Sequence, residues 1–184
     1  HEAVDVLLRE VTYPEHLAEE LIFDACNFCG VPEVELLLSR HAFISLTSML
    51  HLVLRRNKLR QDPALVELLI SKGANLEARV SGHTALHRAL LSGANERVLK
   101  FLIDRGANTR TTSSSTDSDE MEGYTYLHCA AHGDSPKAFE VVSLQPRDID
   151  VCAGEAEETA LHIACRRNNF VAAQALVAAG ARCN

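Results

Sequence analysis

Apolar positions recur along this chain with a helical period in short paired blocks. Leu86 and Ala89, Leu127 and Ala130, and Leu161 and Ala164 each follow a threonine (Thr84, Thr125, Thr159). Spaced by three, each pair falls on one face of a helix that the threonine can cap, its hydroxyl taking an otherwise orphaned amide. A second apolar-periodic segment comes next and ends near a Gly-Ala pair: Gly73-Ala74-Asn75, Gly106-Ala107-Asn108 and Gly180-Ala181-Arg182. A glycine there suits the left-handed residue that terminates a helix. The stretch before the next threonine leaves room for an excursion and return, so one unit is helix, tight turn, helix and hairpin loop. Such a unit exposes an apolar face when alone and must stack on neighbours.

The blocks repeat. Thr84-Ala85-Leu86-His87-Arg88-Ala89, Thr125-Tyr126-Leu127-His128-Cys129-Ala130 and Thr159-Ala160-Leu161-His162-Ile163-Ala164 share Thr-x-Leu-His-x-Ala, and Ser48-Met49-Leu50-His51-Leu52-Val53 is a weaker copy. The histidines are separated by 36, 41 and 34 residues. Two motifs in phase at this period resemble the ankyrin repeat family. The resemblance implies an all-α solenoid with repeats at 45–80, 81–122, 123–156 and 157–184, preceded by a degenerate repeat and a half over 1–44. There Glu20–Ala25 stands where the signature would fall, Val34–Leu38 reads as a second helix, and Glu2–Leu8 as the second helix of a still earlier repeat. Neither end reads as a polar cap, and the chain is expected to be an excised piece of a longer protein.

Three departures interrupt the pattern. Lys58–Pro63 is inserted between the helices of the 45–80 repeat. The 123–156 repeat has Leu144-Gln145-Pro146-Arg147-Asp148 in place of its Gly-Ala pair, so its second helix should end early at the proline. The linker Thr109–Glu122 is polar, acidic and without core residues, and is expected to form an elongated, mobile finger.

Composition narrows the function. Hydrophobic residues make up 47% and charged ones 23%, ordinary globular values, while a net charge of -7 repels nucleic acid and anionic membranes. The longest mostly apolar stretch, Phe170–Ala181, is far short of the roughly 20 residues a bilayer span needs. Six cysteines are too sparse for a stapled secreted domain, and Cys26, Cys129 and Cys165 lie among apolar neighbours, so a reducing compartment, cytoplasmic or nuclear, is expected. Cys26-Asn27-Phe28-Cys29 has a spacing shared by zinc ribbons and redox proteins, but no second pair follows, and it reads as helix packing. His87, His128 and His162 would sit one per repeat, too far apart to share a metal; the resemblance gives them a bond to backbone that fixes the turn. No nucleophile, phosphate-loop or zinc-protease motif occurs, and we expect no catalysis and no cofactor.

What remains is surface. In each first helix, the residue after the signature histidine (Leu52, Arg88, Cys129, Ile163) and the fourth after it (Arg55, Leu91, His132, Arg166) share a face. With Arg56 and Arg167 they form a basic and apolar ridge. The resemblance implies that this ridge lines a concave groove together with hairpin tips around Arg79, Val80, His83 and Tyr124. The expected function is non-catalytic binding of a protein partner, or of a segment of the parent chain, of acidic or acidic-aromatic character; the oligomeric state is open. The alternative is a structural spacer within a longer array, which should tolerate Arg55→Glu, Arg88→Glu and Arg166→Glu. In the linker, Ser114 and Thr116 each have an acid three residues on (Asp117, Asp119), a pattern resembling sites of acid-directed kinases. Phosphate there could bring the finger over the ridge; a merely tolerated insertion is the other reading.

Overall fold

The computed structural model describes residues 26, 30–40, 45–55, 62–114, 121–133, 135, 137–142 and 145–183. Their elements are, in order, α1 (Val31–Arg40), α2 (Leu46–Leu54), α3 (Pro63–Ser71), α4 (Ala85–Leu91), α5 (Glu96–Asp104), α6 (Tyr126–His132), α7 (Ala138–Val141), α8 (Pro146–Ile149), β1 (Cys152–Ala153), β2 (Glu158–Thr159), α9 (Ala160–Arg166) and α10 (Phe170–Ala178). Among the described residues the architecture is all-α apart from one short two-stranded sheet and tight hairpin turns.

The helices form two layers. α2, α4, α6 and α9 pack in succession as one layer of first helices; α1, α3, α5 and α7 pack in succession as the layer of second helices. The pairs α2 with α3, α4 with α5, α6 with α7, and α9 with α10 join the layers. Between them Leu50, Leu54, Leu69, Leu86, Leu90, Leu99, Leu102, Leu127, Ile163 and Leu176 are buried almost completely, and no single unit could enclose them alone. Gly73, Gly106 and Gly180 follow their second helices with φ of 104°, 88° and 98°, the left-handed ends expected from the Gly-Ala pairs.

Antiparallel hairpins project from the first-helix side. Cys152 pairs with Thr159 and Ala153 with Glu158, while Val80 and His83 form an isolated bridge around Ser81 and Gly82, both at positive φ as a two-residue hairpin turn requires.

The departures resolve differently from expectation. α7 stops at Val141, ahead of the proline, and Pro146 opens a helix instead of ending one: it occupies the first position of α8, where its missing N–H costs nothing. Ile149 is thereby buried, and Tyr126 Oη donates to Asp148 Oδ2 at 3.3 Å. The linker is not a finger over its whole length. Ser113 is buried, its N–H donates to Tyr124 O at 2.8 Å, and Gly123 N–H returns to Ser113 O at 3.0 Å. The backbone pairs here because a hairpin is still needed between the units; residues 115–120 lie outside the described residues. So do most of the inserted turn Lys58–Pro63, whose Pro63 opens α3 behind the N-cap Asp62, and the readings over Glu2–Leu8 and Glu20–Ala25.

Candidate functional site

The signature histidines act as clamps between neighbouring units. Thr84, Thr125 and Thr159 are N-caps of α4, α6 and α9. In α6, His128 Nδ1 accepts from Thr125 N–H at 3.2 Å and lies 2.7 Å from Thr125 Oγ1. With Nδ1 accepting, the ring carries its proton on Nε2 and donates it to Glu158 O, 3.0 Å away in the next hairpin. His87 repeats this with Thr84 and with Thr111 O at 3.0 Å. His128 is 0% exposed and His87 1%. His162 keeps the local half, Nδ1 lying 3.2 Å from Thr159 N, but it is exposed and Nε2 has no partner among the described residues.

This difference separates cap from clamp. His128→Leu, which retains volume but removes the cap bond and orphans a carbonyl, is expected to lower the unfolding free energy by about 2 kcal/mol; His162→Leu should cost about 1 kcal/mol or less. Urea denaturation of both variants checks it, and equal losses would show that the bond to the next hairpin contributes nothing.

The weaker copy at Ser48–Val53 folds another way. α2 starts at Leu46, a turn earlier than its counterparts, because Ser45 caps it and accepts from Ser48 N–H at 3.2 Å. With that amide already used, His51 finds neither cap partner: both ring nitrogens are buried without a hydrogen bond of normal geometry, and the residue is 3% exposed. Burial, then Arg88, pulls its pKa down to about 4, the Ala78 backbone offsetting this only in part.

The ridge residues divide into two groups. Leu52, Arg88 and Leu91 are half-buried on the hairpin side of the first-helix layer, with Arg55 exposed at the end of α2. Arg88 donates to Val80 O at 3.4 Å, and its pKa is held below the usual value first by burial and then by Arg55. Arg79 donates to Gly82 O at 3.2 Å and to Ser114 Oγ at 3.1 Å. Among the described residues none of Arg55, Arg79 and Arg88 pairs with a carboxylate. His83 sits between them, buried, its pKa drawn to about 4 by burial, Arg88 and Arg79 in that order. Arg56 and Thr116 lie outside the described residues.

The other half is neutralised. Arg166 Nε and Nη2 donate to Glu158 Oε1 and Oε2 at 3.0 and 2.7 Å, a two-point pairing that leaves no fork for a ligand. Tyr124 is buried beside His128, rings 5.3 Å apart, and Cys129 and Ile163 are wholly buried, so the ridge is interrupted there. Half-buried His132, with Tyr124, Glu158 and Arg166, lines a cavity of about 370 Å³. Arg167 is exposed at the end of α9. Sequence reading overlooked Glu158, although a signal exists: one residue before the signature threonine and seven after it give His83 and Leu91, Tyr124 and His132, Glu158 and Arg166. Only the last couple is acid and base.

At α9 and α10 the layered face is open. Leu161, His162, Cys165, Phe170, Ala173 and Val177 line a groove of about 650 Å³, with Phe170 83% exposed. Cys165 is therefore exposed, against the expectation of a packed thiol, whereas burial raises the thiol pKa of Cys129 and keeps it inert. Of the Cys-x-x-Cys pair, Cys26 is buried and Cys29 lies outside the described residues. No described helix is long and apolar enough to cross a membrane.

Two family models match the chain. One for ankyrin repeats, in three copies, covers residues 22–113, and one for a single ankyrin repeat covers 157–184. The chain belongs to the ankyrin repeat family. The ankyrin match over 22–113 reaches into the stretch whose resemblance rested on apolar pattern alone, and the short α7 and added α8 lie between the two matches. Among relatives, human ankyrin repeat and SOCS box protein 16 is 32% identical over 99 residues, 54% of this chain and 20% of that protein. The human transient receptor potential cation channel subfamily A member 1 is 37% identical over 102 residues, 55% of this chain and 8% of the channel. The chain spans a fifth or less of these relatives' length. Ankyrin repeats are general protein–protein interaction modules, typically non-catalytic.

Proposed function

We propose that this chain is a non-catalytic recognition module, part of a longer protein in a reducing compartment, cytoplasmic or nuclear, and that its concave face binds an acidic segment of a partner at Arg55, Arg79 and Arg88. One observation carries the reading: three neighbouring guanidiniums lack a carboxylate partner among the described residues, on a protein whose net charge is -7. An arginine left without an acid on an acidic protein is available for a bidentate bond to carboxylate. Half-buried Leu52 and Leu91 add apolar surface for an aromatic or aliphatic neighbour of that acid. Because the units are stacked rigidly, their side chains are presented with little ordering cost. Arg166, spent on Glu158, falls outside the site.

The test is fluorescence anisotropy of a Glu- and Tyr-rich peptide at about 0.15 M salt, where long-range attraction is screened. Arg55→Gln with Arg88→Gln is expected to weaken binding about tenfold, close to 1.4 kcal/mol, with Arg166→Gln near wild type. Loss with Arg166→Gln alone would move the site to the other half. Unchanged binding in both variants would favour the spacer.

A further inference from the structure

Ser114 is exposed and held from two sides. Its N–H donates to Gly82 O at 2.9 Å, its hydroxyl accepts from Arg79 Nη1 at 3.1 Å, and the same Nη1 donates to Gly82 O at 3.2 Å. One guanidinium thus ties two successive hairpins together, spending a full positive charge on two neutral oxygens. Among the described residues no carboxylate pairs with Arg79 or with Arg88, and both lie close enough to His83 to depress its pKa. The spot is short of negative charge and holds a hydroxyl. The neighbouring Ser113 cannot serve, since its hydroxyl is buried, donates to Met121 O and accepts from Tyr124 N–H. The chain beyond Ser114 continues with Asp117, Asp119 and Glu120, acids of the kind that guide a kinase with a basic substrate cleft.

We infer that Ser114 is a phosphoacceptor whose phosphate seats on Arg79 and closes the basic part of the concave face to an acidic partner. This regulation rests on the reading of that face given above. In the transfer, Ser114 Oγ forms a bond to the γ-phosphorus of a nucleoside triphosphate as the bond to the bridging oxygen breaks. The nucleoside diphosphate leaves, and the hydroxyl proton passes to the base of an acid-directed protein kinase. The product carries about -1.5 to -2 charges and three strong acceptor oxygens. Arg79 then exchanges a bond to a neutral hydroxyl for a charge-assisted one that it already reaches, without rearrangement of the hairpin. Among the described residues Arg55 and Arg88 are the other cations of the site, so a dianion at Ser114 offsets most of its charge.

Three measurements on the full chain test this. First, an acid-directed kinase with ATP is expected to place phosphate on Ser114, mapped by mass spectrometry; labelling that spares Ser114 overturns the acceptor assignment. Second, with phosphoserine installed biosynthetically at position 114, phosphorus NMR is expected to give a second pKa well below the usual value of about 6. That shift should vanish in Arg79→Gln; if wild type itself titrates near 6, the phosphate does not seat on Arg79 and the inference fails, whatever the face binds. Third, the modified protein should bind the Glu- and Tyr-rich peptide about tenfold more weakly than the unmodified one. Equal binding by modified and unmodified protein overturns the closing. If the unmodified protein binds no acidic peptide while the phosphorus shift is present, the partner reading falls and the closing with it, and the seat on Arg79 stands.

Discussion

Between pH 6.5 and about 4 the protein is expected to lose stability steeply, because the buried rings of His51, His83, His87 and His128 resist the protons that the unfolded chain accepts. His51, His83 and His87 each have their pKa drawn from 6.5 to about 4, first by burial. Arg88 adds to this for His51 and His83, and His83 does so for His87. In that window the unfolded chain takes up protons that the folded one refuses, so the unfolding free energy falls as the pH falls. The stability is fully present above 6.5 and lost as the pH drops to the folded pKa. At about 1.4 kcal/mol per pKa unit each ring contributes at most about 3 kcal/mol, and less where water screens it, most of all at His83, against a total of about 5–15 kcal/mol for an ordinary domain. The carboxylates act lower: Glu96, held below its usual pKa by hydrogen bonds from Lys100 and Lys137, adds its loss from about 4.5 downward, at the foot of the histidine window. Thermal melts at intervals from pH 7 to 4.5 check this. His51→Leu, which removes a buried ring with no hydrogen bond of normal geometry to lose, should flatten the slope by about one proton and raise the melting temperature in acid. Melting temperatures that do not change over this range would mean that the buried rings accept protons in place.

Gly133→Ala is expected to lower the unfolding free energy by about 3 kcal/mol or more, the upper end of what overpacking costs. Conformation is not the cause, since Gly133 has φ -78° and ψ 161°, which any residue adopts. Space is. A Cβ there would fall far inside van der Waals contact with the Leu90 carbonyl oxygen and 3.0 Å from its carbon, both backbone atoms of the preceding unit. Relief requires α6 to draw away from α4, and the loop is tied elsewhere. Asn169 Nδ2 donates to Gly133 O at 2.8 Å and to Ala131 O at 3.2 Å, and Ser135 Oγ donates to Ala94 O at 2.9 Å. Three successive units meet at this carbonyl, so the strain spreads along the array. Gly106→Ala is the control: its Cβ would meet nothing within 4 Å, and only the left-handed φ of 88° is strained, about 1–2 kcal/mol. Chemical denaturation of the two variants decides, and a Gly133 loss no larger than that of Gly106 would refute the steric account.

Much of the array was legible because its signals are local. Thr84 and His87 are one helical turn apart, so cap and ring meet through any chain that forms that turn, and Gly106 ends a helix by its own φ. Where a distant residue decides, the reading stopped short. His83 and Tyr124 looked like exposed hairpin tips, yet both are buried. Arg166 looked like a free cation until the hairpin folded Glu158 onto it. Ser113 sits in a run of hydroxyl-bearing residues, and it is buried because its backbone pairs with Tyr124 across the loop.

By itself the sequence determined the helix pairs, their period, the caps and the order of the units, since each depends on side chains within a turn or two of one another. The tertiary structure alone decided which half of the arginine ridge is paired with an acid, why His51 lacks its cap partners, and what the second nitrogen of His87 and of His128 holds. Those outcomes turn on desolvation and on partners about twenty to thirty residues away, as with His87 and Thr111 or His128 and Glu158. A repeat pattern is blind to them, because it places equivalent residues in equivalent positions while the charge and burial of each position are set by whichever residue the neighbouring unit brings to it.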